Sequence, residues 1–226
     1  MHIPDGYLSP QTYIPLYGAF ITIAAVAVKK VKANFENKMV PFLGMAASFS
    51  FLIMMFNIPV PGGSTGHAVG AAIIALLLGP WVSFVAVSVA LIIQALVFGD
   101  GGITAIGANC FNMAFVMPFV AWATFKLVKM NSESSSRNVI AAFLAGYVSI
   151  NVTAIITAIE FGIQPLIAIG ADGNPLYAPY PLKVAIPAMA LEHLLLFGVV
   201  EGLVTMLIFK YFARTNREMV AVLKKL

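Results

Sequence analysis

The apolar runs in this chain are too long and too closely spaced to be buried inside a water-soluble domain. They fall at about 11–28, 39–58, 68–79, 81–98, 109–128, 138–163 and 184–211. A helix needs about 20 apolar residues to cross the hydrocarbon core of a bilayer. The runs show no period-two alternation, so a barrel is excluded. Charged residues make up 10% of the chain, against roughly 25% in a soluble domain. The sequence predicts an all-α integral membrane protein. Residues 1–226 would form a single membrane domain of seven transmembrane helices, with an ordered amino-terminal segment over 1–10.

Gly79-Pro80 divides the stretch from 68 to 98, and charge placement says whether it holds one span or two. With two spans and the amino terminus outside, every Lys and Arg except Lys183 lies on the cytoplasmic side. A single long helix would move Lys126, Lys129 and Arg137 outside, against the positive-inside rule. The expected topology is multi-pass, N-out and C-in, in the cell (plasma) membrane. Its third helix is short, and so tilted or incompletely spanning. The net charge of +4 then reflects loop bases, and no nucleic-acid partner is expected. The start lacks a basic leader, so no cleavable signal is expected. The one cysteine, Cys110, excludes an internal disulfide. No GxxxxGK[ST] loop is present for ATP and no HExxH for a zinc protease.

This topology gathers residues 1–10, 57–67, 99–108 and 163–183 on the outer side, and with them His2, His67 and Asp100. A free amine at Met1, the amide nitrogen of His2 and its Nδ1 can all reach one ion, closing a five-membered and a six-membered ring. Flat nitrogen sets of this kind suit Ni(II) and Cu(II). The plainer reading is a histidine near a frayed terminus. Against it stand the turn residues Pro4, Asp5 and Gly6 and a second residue bulky enough to disfavour removal of Met1. His67 closes a Gly-rich loop, Pro61-Gly62-Gly63-Ser64-Thr65-Gly66. It is either a polar residue at a helix entry or a fourth nitrogen delivered to the first three.

A ligating imidazole gives its other N–H to a carboxylate, carbonyl or water. Asp5 and Asn109 are the candidates for such support, and Ser64 and Thr65 for support within the loop. Asn112 reads as ordinary capping or interfacial hydrogen bonding. Glu160, Glu192, His193 and Glu201 fall within spans, where ionisable residues are functional candidates. Glu160 lies near an outer end and within reach of water. Glu192 and Glu201 read as packing or partner-contact residues. Gly44, Ala46, Ala47 and Ser48 permit close helix approach, and the 11 methionines suit adaptable packing.

MHIPDGYLSP at 1–10, PGGSTGHAVGA at 61–71 and the apolar bundle between and beyond them resemble the NikM/CbiM family. Its members are the substrate-binding membrane (S) subunits of nickel/cobalt importers of the energy-coupling factor type. The resemblance implies a square-planar site made by the Met1 amine, the His2 backbone nitrogen, the His2 imidazole and the His67 imidazole. It implies high-affinity capture of Ni2+ or Co2+ from outside the cell as transported substrate, with no cofactor. It also implies a transmembrane coupling (T) subunit, two cytoplasmic ATPase subunits and, in some systems, a small accessory membrane subunit. Pro4-Asp5 and the loop before His67 look more like the nickel branch. The chain is expected not to be an enzyme. The alternative is a stand-alone metal-ion channel or permease, which would need polar residues through a pore; only Glu192, His193 and Glu201 offer themselves.

Overall fold

Proline and glycine set the helix limits in the computed structural model, which describes residues 1–34, 40–60, 64–130 and 134–223. Helix α1, Pro10–Asn34, opens on a proline, whose missing N–H would be unpaired in a first turn anyway. The Ser9 carbonyl accepts from the N–H groups of Thr12 and Tyr13. Helix α2 is Val40–Met54. A short antiparallel pair follows, β1 (Ile58–Val60) with β2 (Ser64–Gly66), Ile58 opposite Gly66. Helix α3, Ala71–Leu78, has eight residues. At 1.5 Å per residue it is about 12 Å long, too short to cross a bilayer.

Gly79, at φ 94°, ends α3, and Pro80 begins α4, Pro80–Ile93. The chain therefore divides where the charge argument divides it. A π-helical stretch, Gln94–Phe98, continues α4. The next rod combines α5 (Ile106–Asn109), a π-helical stretch (Cys110–Val116) and α6 (Met117–Lys129). Helix α7, Ser135–Gly162, leads into the single turn α8, Gln164–Ile167. The last rod joins α9 (Leu182–Glu192), a third π-helical stretch (His193–Phe197) and α10 (Gly198–Thr215).

Among the described residues five rods are long and apolar enough to span a membrane: Pro10–Ala33, Pro80–Phe98, Ile106–Lys129, Ser135–Ile167 and Leu182–Thr215. Helix α2 is apolar but shorter. The run expected at 68–79 is helical only from Ala71.

Alanines recur through the interior beside large side chains such as Phe84, Phe125 and Phe209, while many leucines face outward. Ala71, Ala72, Ala86, Ala121, Ala141, Ala145 and Ala154 are fully buried, whereas Leu127 is 75% and Leu195 70% exposed. A hydrocarbon solvent makes outward leucines sensible. Lipid tails are as apolar as leucine, so close backbone approach, not hydrophobic burial, drives helix association. In α2 only Ala46 of the small-residue group turns fully inward; Gly44 and Ser48 are exposed.

Candidate metal site

The amino-terminal segment is pinned along its length. Asn109 grips both edges of one residue: the Ile3 N–H donates to Asn109 Oδ1 (2.9 Å), and Asn109 Nδ2 donates to the Ile3 carbonyl (3.2 Å). The Gly102 N–H donates to the same carbonyl at 2.8 Å. A Cβ on Gly102 would stand 2.3 Å from the Asp5 nitrogen, so only glycine lets this loop approach. The Asp5 carboxylate accepts from the N–H groups of Ile103 (3.0 Å) and Thr104 (2.8 Å) and from the Thr104 hydroxyl. Those bonds hold its carboxyl below the ordinary aspartate range. Further on, the Ser9 N–H donates to Gln164 Oε1 at 2.9 Å. The Ile3 side chain is fully buried, packed with Leu8, Ala105 and Ala108.

These ties carry Met1 and His2 inside. Met1 is buried, and the His2 side chain is 8% exposed. His2 Nδ1 stands 3.0 Å from His67 Nε2. The other nitrogen of His67, Nδ1, lies 3.1 Å from the Ala68 carbonyl. A carbonyl only accepts, so this contact places the proton of a neutral His67 on Nδ1 and leaves a lone pair on Nε2. Either a proton on His2 Nδ1 or a metal ion can then join the two rings. Metal–nitrogen bonds of about 2.0 Å put neighbouring nitrogens of a flat site about 2.8 Å apart. Asp100 Oδ1 lies 3.3 Å from the same His2 nitrogen.

Burial favours the uncharged form of each of these groups. Burial pushes the Met1 amine down to about 6, with Asp100 and Glu192 opposing. Burial, and then the amine's charge, push His2 down to about 3. Burial also holds His67 well below the usual histidine range, with the amine, His2 and His193 adding to it. Burial raises the Asp100 carboxyl. Among the described residues no group of three or more His, Cys, Asp or Glu side chains could hold a metal. The buried terminal amine and the main-chain nitrogen of His2 are further donors within this segment.

The structure redistributes several expected roles. Asp5 and Asn109 hold backbone and do not bond to the imidazoles. Ser64 and Thr65 appear as the backbone of β2, and their side chains lie outside the described residues, as do Pro61, Gly62 and Gly63. Glu160 is buried and does not reach water. It accepts from Asn112 Nδ2 at 2.7 Å, and that amide also donates to Thr157 Oγ1 (3.2 Å), so Asn112 is a buried network residue and not a cap. Glu192 is half-buried. Glu201 is fully buried and bonds to backbone, which removes it from any partner-facing surface. His193 is buried, with Nδ1 2.8 Å from the Met189 carbonyl.

For three residues near the site the sequence gives position without role, and Gln94 alone is not singled out there. Asp100 is the carboxylate beside the imidazole, set in a stretch that reads only as a loop. Gln94 is fully buried, and its polar influence on His2 opposes the effect of burial. As a lone amide in an apolar run it carries a signal of its own. Glu201 carries the same signal, without any indication of its partner.

The helical bundle thus carries two buried imidazoles in contact beside a buried amino terminus. Residues 2–219 match the family described as CbiM, cobalt uptake substrate-specific transmembrane region, and the chain belongs to that family. It is 50% identical to the fused nickel transport protein NikMN of Rhodobacter capsulatus, covering 98% of this chain and 64% of that protein. It is 47% identical to a protein of Lactiplantibacillus plantarum named "Probable fused nickel transport protein LarMN", covering 95% of this chain and 65% of the other. The chain thus spans somewhat less than two-thirds of these two relatives. A crystal structure of a transition metal transporter superposes with a TM-score of 0.91 at 48% identity, covering 96% of this chain and 94% of that one.

Proposed function

We propose that this chain captures a divalent transition metal, Ni2+ in preference to Co2+, with high affinity in a flat four-nitrogen site. The donors are the Met1 amine, the His2 backbone nitrogen, His2 Nδ1 and His67 Nε2. The observation that carries the reading is the 3.0 Å approach of His2 Nδ1 to His67 Nε2, between segments far apart in sequence and beside a buried amine. A flat nitrogen field suits Ni(II) and works against the tetrahedral preference of Zn(II). Cu(II) would also bind well, since affinity rises toward copper. Each deprotonated donor couples binding to pH.

In this reading the protein is a substrate-capture subunit of an energy-coupling factor importer. Seven membrane segments, the third formed by the extended residues before α3 together with that short helix, put the amino terminus outside and the carboxyl terminus inside. A transmembrane coupling subunit and two cytoplasmic ATPases supply the energy, with a small accessory membrane subunit in some assemblies. The names of the nickel relatives support the choice of metal. A stand-alone permease is the less supported alternative, because Glu201 is committed to backbone hydrogen bonds and is not free to line a path.

The test is metal content and spectroscopy of purified protein with its amino terminus native. One nickel per chain with the absorption of a diamagnetic flat complex is expected. A paramagnetic octahedral signal would overturn the site. Nickel uptake by the chain without ATPase subunits would favour the permease.

A further inference from the structure

We infer that Glu201 is a positioning residue for the metal site: through one peptide group it holds the His67 imidazole in the orientation that points Nε2 at His2. The inference rests on the capture reading above and assigns a role to a residue that touches no proposed ligand.

The Val69 N–H donates to Glu201 Oε2 at 2.8 Å, and the Gly70 N–H donates to both carboxylate oxygens at 3.1 Å. These amides stand at the entry of α3, where the first N–H groups of a helix have no partner within it. Gly70, the residue at the cap position, has φ 74° and no side chain to supply one. A carboxylate from α10 does so from across the bundle, in a place where water cannot substitute.

The connection to His67 is covalent as well as spatial. The Ala68 carbonyl and the Val69 N–H are the two ends of one peptide group. At one end the carbonyl accepts a hydrogen bond from His67 Nδ1–H (3.1 Å); at the other the N–H donates to Glu201. A peptide whose N–H is given to a carboxylate is a stronger acceptor at its carbonyl, because hydrogen bonds in a chain polarise one another. The series carboxylate, peptide, imidazole therefore fixes the tautomer and rotation of His67 and raises the basicity of Nε2. Metal sites elsewhere obtain the same effect from a carboxylate bonded directly to the ligating ring. The peptide is steadied on neighbouring atoms too. Ser50 Oγ of α2 donates to the Val69 carbonyl (2.9 Å), and Ser83 Oγ of α4 donates to the Ala71 carbonyl (2.9 Å).

Glu201→Gln exchanges an accepting oxygen for an NH2 group facing backbone N–H. In full-length protein with a native amino terminus, nickel affinity should fall about 10- to 100-fold. The nickel absorption should shift toward that of His67→Ala. The decisive comparison is the double variant: if Glu201 acts through His67, Glu201→Gln combined with His67→Ala binds nickel no more weakly than His67→Ala alone. Losses that add would overturn the inference, as would unchanged affinity in Glu201→Gln. Size exclusion and circular dichroism check that the variant is folded. Should it fail to fold, Ser50→Ala loosens the same peptide segment; it should give a smaller loss, also absent in the His67→Ala background, and no loss would refute the inference. Wild-type protein that binds no nickel would instead refute the capture reading itself.

Discussion

The two imidazoles of the candidate site are anchored by different means. His2 is carried by a segment held chiefly by residues 102–109, mostly through its backbone, with Gln164 and Ala178 binding it further along. Part of that anchorage, around Asp5, is exposed. His67 is carried by a segment held from three helices of the bundle, through Ser50, Ser83 and Glu201, all three fully buried. Exposed hydrogen bonds exchange with water at a net value of about 0.5–1.5 kcal/mol each. Buried ones leave orphaned polar groups when broken, at about 1–3 kcal/mol or more. Among the described residues, the bonds that hold the His67 segment are buried, while those that hold Met1 and His2 combine buried ones at Ile3 with exposed ones at Asp5.

Attacking the amino-terminal half at its end has the largest expected effect. Residues added before Met1 replace the terminal amine with an amide, and tight nickel binding should be lost in calorimetric titration. Retained affinity would sink the chelate. Next comes His67→Ala, which should leave a three-nitrogen site weakened beyond the roughly 100-fold that outer partners cost at most. Normal nickel retention after size exclusion would strike His67 from the ligands. Asn109→Ala releases both edges of Ile3 while sparing every proposed donor. It should lower affinity about 10- to 100-fold and leave the nickel spectrum of saturated protein unchanged. A changed spectrum would mean that the segment cannot place its donors without it.

The smallest effect is graded with pH. Metal and proton compete for the same lone pairs. Deprotonation of the His2 amide alone lowers affinity about tenfold per unit of acidification. The Met1 amine, pushed down to about 6, adds nothing above that pH and takes up a second proton below it. A plot of log affinity against pH should therefore steepen from a slope of about one to about two as pH falls through about 6. A slope that stays at about one well below a pH of about 6 would argue that the amine is not a donor.

Much of this was legible in the sequence. Apolar run length gave the helical rods, and Gly79-Pro80 with the lysine positions gave the break between α3 and α4. The two short motifs gave His2 and His67, which the structure brings together. What stayed hidden is tertiary. Asp5 and Asn109 are plausible partners for an imidazole, but their spacing cannot say that a backbone edge will use them first. Glu160 and Asn112 sit on different helices, and nothing local pairs them. Glu201 lies 132 residues from the amide it holds, so its burial shows in the sequence only as a charge in the wrong solvent.

The three π-helical stretches give the chain an unequal tolerance for length. Each packs one more residue into a turn than an α-helix does, and such turns are commonly sites of functional insertion. They contain Gln94, Asn112 and His193. Removing one residue from such a stretch lets it relax to α-helix, so the rod beyond it keeps its facing. The same removal from the unbroken 28 residues of α7 turns everything downstream by about 100°. Single-residue deletions among relatives should therefore collect in these stretches and be scarce in α7.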